Sequence, residues 1–159
     1  MEEKKLAIIA TKGTLDWGYP PFILASTAAA LGYETEIFFT FYGLQLLKKD
    51  LDLKVSPLGN PGMPMPMGMD KWFPVLGTAL PGMEAVMTSM MKKKMASKGV
   101  AGLDELRELA QEAEVRMIAC QMTVDLFEMD TADFIDGVEY AGAARFFEFA
   151  GESDICLYI

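Results

Sequence analysis

The chain has 159 residues, 52% of them hydrophobic, which suits one domain with a core of its own. Its formal net charge is -9, so nucleic acid is not an expected partner: that binding needs clustered Lys and Arg, and the basic run at Lys92 to Lys94 is short. The sequence contains no histidine, which excludes a histidine general base and histidine-ligated metals.

The start of the chain, MEEKK, is mixed in charge, and the apolar run that follows is much shorter than the roughly 20 residues of a membrane helix. We therefore expect no integral membrane segment and a cytoplasmic location, where thiols stay reduced. Neither Cys120 nor Cys156 lies in a CxxC or zinc-ligand spacing, so no metal site is predicted from them.

The first part of the chain alternates apolar, β-branched runs with alanine-rich or amphipathic stretches, which predicts β-strands and α-helices in turn. The expected elements are a strand at 5–11, a helix that begins at Pro20-Pro21 and ends near Leu31, a strand at 34–41, a helix at 42–49 and a short edge strand at 52–56.

The middle of the chain departs from that alternation. Residues 57–70 are dense in Pro, Gly and Met, so no regular element is expected there. A helical piece at 71–80 and a Met-rich helix at 83–97 complete a predicted insertion at about 57–98. The expected elements after it are a helix at 103–113, a strand at 115–120, a short helix at 122–128, a loop at 133–137, a helix at 138–150 and a closing strand at 154–159.

This order predicts a single α/β domain over 1–159, with a three-layer parallel sheet flanked by helices. Functional groups in such sheets gather beyond the carboxyl ends of the strands. Three segments would lie there: 11–16, 40–43 and 120–125.

Cys120 is the one thiol expected at that edge, at the end of a strand and just before a short helix. The free N–H groups of a helix start favour a thiolate and lower the pKa of a thiol. A thiolate can attack a sulfane sulfur and hold it as a persulfide. The alternative is that Cys120 only fills space in the core, as many free cysteines do. Cys156 lies inside the closing strand, in a run that predicts burial on both faces and no reactivity.

The methionines allow two further interpretations. Met63, Met65, Met67 and Met69 alternate, and thioethers suit Cu(I), although adaptable packing is the more usual role of such residues. The stripe from Met83 to Met95 recurs at helical spacing and could form a partner or subunit interface, which makes a monomer less expected.

Three collinear blocks resemble the DsrE/DsrF-like family, in the branch often labelled peroxiredoxin-like. They are KLAIIATKGTLDWGYPPFILASTAAALGYETEIFFTFYGL, NPGMPMPMGMDKWFPVLGTALPGMEAVMTSMMKKKM and ACQMTVDLFEMD. The resemblance implies a DsrE-like, flavodoxin-like topology, a homo-oligomer, and sulfur transfer with TusA-like carriers or rhodanese-like donors. It places the sulfur-accepting cysteine on Cys120. The position of Glu128 is commonly Gly in the family motif, so this chain departs from it there.

The leading hypothesis is therefore a sulfur carrier or sulfurtransferase that needs no cofactor and uses Cys120 as its acceptor. We expect Thr11, Lys12, Gly13, Gln121 and Met122 to contribute to binding at the same sheet edge. The alternative is a non-catalytic oligomeric scaffold or regulatory binding protein whose Met-rich insertion forms the interface.

Overall fold

The computed structural model describes residues 4–56, 72, 77 and 79–159. The helices and strands in chain order are β1 (Lys5–Ala10), α1 (Leu15–Ala30), β2 (Glu34–Phe39), a 3₁₀ helix (Phe41–Leu47), α2 (Met83–Ser97), α3 (Leu103–Glu112), β3 (Arg116–Cys120), α4 (Gln121–Leu126), a short 3₁₀ helix (Thr131–Asp133), β4 (Val138–Ala141), α5 (Ala143–Ala150) and β5 (Ile155–Tyr158).

The strands form one parallel sheet in the order β4-β3-β2-β1-β5. The expected α/β architecture, a parallel sheet flanked by helices, is confirmed. The strand order differs from the 2-1-3-4-5 order of flavodoxin, so the likeness to flavodoxin holds for the layers and not for the order. Because the strands are parallel, the carboxyl ends of β1, β2 and β3 meet at one edge, and Cys120 lies there at the end of β3.

Helices cover both faces of the sheet. The first face packs against α1 and α3 in the larger of two apolar clusters, which includes Ile8, Ile37 and Ala119. The second face packs against α5 in a smaller cluster that includes Phe38, Ile118 and Cys120. Alternate residues of each strand point to opposite faces, which is why neighbouring residues of β2 and β3 divide between the two clusters.

Helix α5 is fixed over the second face by both packing and charge. Phe146 stacks on Phe38 with 5.1 Å between ring centroids. Glu36, fully buried in β2, lies 3.3 Å from an Arg145 nitrogen and 3.6 Å from Arg116 Nε. Burial raises the pKa of Glu36, while the two guanidinium groups act in the opposite direction. These contacts therefore fix the position of α5 on the sheet face that carries Cys120.

Helix α1 begins earlier than its prolines predicted. It starts at Leu15, and Pro20 and Pro21 lie inside it, so their placement in the first turn was wrong. Tertiary contacts hold the additional turn: the Leu15 N–H donates to the Lys54 carbonyl, and Gly18 lies so close to Leu46 and Leu103 that a Cβ would clash with both.

The predicted edge strand at 52–56 is absent from the described structure, and this prediction was wrong. The segment bonds to helices instead of a strand: the Val55 N–H donates to Thr88 Oγ1 and the Ser56 N–H to Asp16 Oδ1, each at 3.0 Å. The helix expected at 42–49 is a 3₁₀ helix that begins at Phe41 and ends at Leu47.

The helix predicted over 138–150 was also wrong in its first part. Val138–Ala141 is strand β4, which pairs in parallel with Met117–Cys120, and Gly142 separates it from α5. Val138 and Tyr140 favour a strand, and pairing with β3 at the edge of the sheet gives them one, whereas the alanine-rich stretch that predicted the helix begins after them.

The Met-rich helix at 83–97 is confirmed as α2. Met87, Met91 and Met95 are partly buried against the first-face core. That side of the stripe packs inside the chain, whereas Met90 is 41% exposed, and the role of the stripe as a subunit interface stays a prediction. The predictions for 57–71 and most of 72–80 lie outside the described residues. Among the residues that are described, no helix combines the length and apolar character that crossing a membrane requires.

Candidate functional site

Three side chains converge at the carboxyl edge of the sheet: one at the end of β3, one after the end of β2 and one from α4. Cys120 ends β3 and is the residue that caps α4, as the sequence predicted. Thr40 follows the end of β2, and its hydroxyl lies 3.3 Å from that of Thr123 in α4. All three are tied together by the parallel pairing of β2 with β3. They form a thiol flanked by two hydroxyl groups.

The surroundings of Cys120 favour its thiolate. Burial alone would raise the pKa of the thiol. The hydroxyl and backbone N–H of Thr123, the Thr40 hydroxyl and the Met122 N–H act against it, and the net effect is a lowered pKa. A lowered pKa raises the thiolate fraction at neutral pH, and the thiolate is the nucleophile in sulfur exchange.

Cys120 is buried: 5% of its surface is exposed, and it belongs to the second-face cluster. Met122, two residues further along the chain, is 61% exposed, and Phe41, whose N–H donates to Thr123 Oγ1, is 44% exposed. An attached second sulfur would lengthen the Cys120 side chain by about 2 Å, one S–S bond length. The thiol thus lies within the packed second face, and exposed side chains stand on the segments that adjoin it.

Phe41 has a backbone conformation that bulky residues rarely adopt. Its φ of 49° lies in the left-handed region. The Phe41 N–H donates to Thr123 Oγ1 at 3.2 Å, so the same hydroxyl that favours the Cys120 thiolate also holds this strained residue. Strain at such a position is typical of functional sites and persists only where the surrounding structure holds it.

Two glycines allow the segment after β2 to pack against the end of β1. A Cβ on Gly43 would lie 2.1 Å from the Ala10 carbonyl oxygen, and one on Gly13 would lie 2.2 Å from that of Tyr42. The buried Arg107 fixes the far end of the 3₁₀ helix by donating to the Leu46 carbonyl at 2.9 Å. The position of Phe41 and its neighbours is thus set from both ends.

The residues expected to bind beside Cys120 divide into two groups. Gln121 and Met122 are exposed next to it, and Gln121 Nε2 donates to Asp125 Oδ1 at 2.7 Å. The other three lie after β1. Thr11 is engaged within the fold, because its N–H and hydroxyl both donate to the Ile159 carbonyl, at 2.9 and 3.0 Å.

Lys12 and Gly13 line a hollow of about 320 Å³ with Trp17, Tyr42 and neighbouring polar residues. Lys12 Nζ lies 3.4 Å from the centroid of the Trp17 ring, which holds the ammonium group at the hollow. This places one cation on the same sheet edge as Cys120, two strands away.

The prediction that Cys156 is buried was wrong. Strand β5 is an edge strand, and Cys156 is exposed. Cys156 pairs with Ala7 in the middle of β1. Cys120 lies at the carboxyl end of the sheet, one residue beyond Ala119, which is level with Phe39 and Ala10 across the strands. The two thiols therefore lie on separate parts of the sheet. Any labelling of Cys120 must first remove Cys156.

Sequence reasoning missed Thr40, Thr123 and the strain at Phe41. The segment 40–43 was identified as an edge segment, but no residue in it was chosen. The spacing of Thr123 three residues after Cys120 offered a signal, because the third residue of a helix faces the capping residue. The meeting of Thr40 with Thr123 depends on strand pairing and had no local signal.

The described residues offer no obvious metal site. No three His, Cys, Asp or Glu side chains of residues 4–56 and 79–159 converge where they could hold an ion. The Cu(I) hypothesis for Met63 to Met69 falls outside the described part of the chain.

Glu128 also lies in the left-handed region, with a φ of 48°. This explains physically why glycine suits the position in the family motif, since a side chain costs roughly 1–2 kcal/mol there. We expect Glu128→Gly to raise the free energy of unfolding by about 1 kcal/mol, measured by urea denaturation. Glu108→Gly, inside α3, is the matched control and should lower that free energy by about 1 kcal/mol. Equal destabilisation by both changes would contradict the strain at Glu128.

Comparison with known proteins agrees with the fold and the motifs. The sequence model of the DsrE/DsrF/DrsH-like family matches residues 2–158. The chain is 82% identical over 159 residues to the sulfur carrier protein DsrE2 of Allochromatium vinosum, covering 100% of both chains. It is 32% identical over 161 residues to the uncharacterized protein YrkE of Bacillus subtilis, covering 99% of this chain and 98% of that one.

Among solved structures, the crystal structure of the ychN protein from E. coli is similar to this one, with a TM-score of 0.55 over 98% of this chain and 99% of that chain. The two sequences are 12% identical, so this likeness concerns the fold. The family expected from the three sequence blocks is thereby confirmed: the chain belongs to the DsrE/DsrF/DrsH-like family.

Proposed function

We propose that this protein is a sulfur carrier that holds sulfane sulfur as a persulfide on Cys120 and passes it to the thiol of another protein. The observation that carries the proposal is a thiol with a lowered pKa at the carboxyl edge of a parallel sheet. The name of the relative from Allochromatium vinosum, a sulfur carrier protein, supports the same function.

The transfer step is an exchange between sulfur atoms. The Cys120 thiolate attacks the outer sulfur of a donor persulfide, R–S–SH. A new S–S bond forms on Cys120, the donor S–S bond breaks, and the donor leaves as the thiolate R–S⁻. The proton stays with the transferred sulfur, and no external oxidant or reductant is consumed. The reverse exchange with an acceptor thiolate empties Cys120.

The same groups that favour the thiolate suit the persulfide. The hydroxyl groups of Thr40 and Thr123 and the nearby N–H groups can donate to a sulfur anion. Gln121 and Met122 border the thiol and would contact an incoming donor. Lys12, held at the hollow after β1, adds a positive charge on the same sheet edge, two strands away from Cys120.

The resemblance to the family implies a TusA-like carrier or a rhodanese-like protein as the partner, and the proposal retains both. A cytoplasmic location fits a carrier that needs a free thiol, because thiols stay reduced there. Homo-oligomer formation and a single domain over the whole chain also remain part of the proposal.

The test is persulfide loading on the Cys156→Ser background, since Cys156 is the more exposed thiol. The protein is incubated with the persulfide of 2-mercaptoethanol, a small donor without charged side chains, and analysed by peptide mass spectrometry. We expect one added sulfur atom on Cys120, and its loss when Cys120 is also changed to serine. A Cys156→Ser protein that stays unmodified while the donor remains competent would refute the carrier function.

A further inference from the structure

An exposed apolar platform frames the candidate thiol. Five large apolar side chains from the segments after β2 and β3 are exposed: Phe41, Tyr42, Met122, Leu126 and Phe127. The three rings contact one another, with centroid distances of 6.5, 6.2 and 5.8 Å. A contiguous exposed patch of this kind is typical of a surface that binds another protein.

Carboxylates lie beside this platform, on α4 and on the segment that follows it. A hollow of about 490 Å³ is lined by Tyr42 and Phe127 of the platform together with Glu128, Asp130 and Asp133. Lys48 is the cation among the described residues that line it. Asp125 is exposed on α4, one residue before Leu126 of the platform. We refer to Asp125, Glu128, Asp130 and Asp133 as the acidic rim.

A hydrogen bond holds the backbone of Phe41, one of the platform residues, in a conformation that is unfavourable for a bulky side chain. Its left-handed backbone is fixed by the bond from its N–H to Thr123 Oγ1. Tyr42 is 65% exposed although its ring stacks on Phe127. A preformed aromatic surface loses little conformational freedom when a partner binds, which favours association.

We propose that the apolar platform and its acidic rim form the docking surface for a basic partner protein that presents its sulfur-bearing cysteine among apolar and Lys or Arg residues. The proposal rests on the persulfide function of Cys120 and specifies its donor and acceptor by charge. A second copy of this chain fits the surface poorly. Pairing the two surfaces would place two acidic rims against each other, and the chain as a whole carries a formal net charge of -9.

The test uses two synthetic donor peptides of equal length, each with one cysteine persulfide between leucines. Lysines flank these residues in one peptide, and glutamates in the other. Loading of Cys120 in the Cys156→Ser protein is timed by mass spectrometry, and each rate is divided by that of the persulfide of 2-mercaptoethanol, which has no charged side chains. At low salt we expect the cationic peptide to load Cys120 at least about tenfold faster than the anionic one.

High salt should bring the ratio of the two peptide rates close to one, because it screens exposed charges. The combined change Glu128→Gln, Asp130→Asn and Asp133→Asn should reduce the ratio at low salt. The matched control removes three exposed carboxylates from α3, by Glu105→Gln, Glu108→Gln and Glu112→Gln, and should leave the ratio unchanged.

The outcomes separate this proposal from the carrier function. Loading by the persulfide of 2-mercaptoethanol, with equal rates for both peptides, would overturn the docking surface and leave the carrier function standing. A ratio that salt or the rim variant does not change would overturn it as well. No loading by any of the three donors would refute the carrier function itself.

Discussion

Changing Thr123 to valine is expected to raise the pH at which Cys120 reaches half of its maximal loading rate. The change removes the hydroxyl that favours the Cys120 thiolate, so the pKa of the thiol should rise. At a pH below the pKa, each unit by which the pKa of the thiol rises reduces the thiolate fraction about tenfold. The more basic thiolate is roughly threefold more nucleophilic, which offsets only part of that loss. Loading at any pH below the midpoint should therefore slow.

The same change is expected to lower the free energy of unfolding by about 1–3 kcal/mol, because the Phe41 N–H loses its acceptor. Thr123→Ser keeps the hydroxyl and should retain the pH midpoint. Thr88→Val is the control for stability: Thr88 accepts from the Val55 N–H away from the thiol, so this change should destabilise without moving the midpoint. A midpoint that Thr123→Val leaves in place would show that the hydroxyl does not act on Cys120.

Changing Gly43 to alanine is expected to lower the free energy of unfolding by at least the upper part of the range of about 1–3 kcal/mol that overpacking costs. The new Cβ would lie 2.1 Å from the Ala10 carbonyl oxygen and 2.8 Å from its carbon, both of which are backbone atoms in β1. That oxygen also accepts from the Thr40 N–H at 3.1 Å, so relief of the clash would disturb the edge beside Cys120.

Gly142→Ala is the matched control for Gly43→Ala. A Cβ at Gly142 meets nothing within 4 Å, and the change loses only the preference of an N-cap position for Gly over Ala, so the free energy of unfolding should fall by no more than about 1 kcal/mol. Both variants can be compared by urea denaturation with tryptophan fluorescence. If Gly43→Ala unfolds at the same urea concentration as Gly142→Ala, the contact between the 3₁₀ helix and β1 is not as tight as the structure has it.

The sequence predicted the elements whose pattern is strong and local. The apolar runs that became β1, β2 and β3 bury most of their residues, and such short, mainly buried runs are typical of parallel strands. The helical spacing of apolar and charged residues in α3 was an equally clear signal. The placement of Cys120 at the junction of a strand and a helix followed from that local order, and the structure has it there.

The sequence failed where a distant partner decides the conformation. Val138–Ala141 became a strand because Met117–Cys120 offered an unpaired edge, and the 52–56 segment bonded to Asp16 and Thr88 instead of to a strand. Cys156 became exposed because β5 occupies the edge of the sheet, a position that no local pattern encodes.

Local patterns were sufficient to establish an α/β chain with a thiol at a strand end, because hydrophobic periodicity and turn residues act over a few neighbours. The surroundings of that thiol depend on contacts between segments far apart in the chain. Thr40 meets Thr123 across 83 residues of sequence, and the pairing of β2 with β3 brings them together. The pKa of Cys120 and the strained Phe41 both depend on that contact, since hydrogen bonds form between atoms close in space, whatever their separation along the chain.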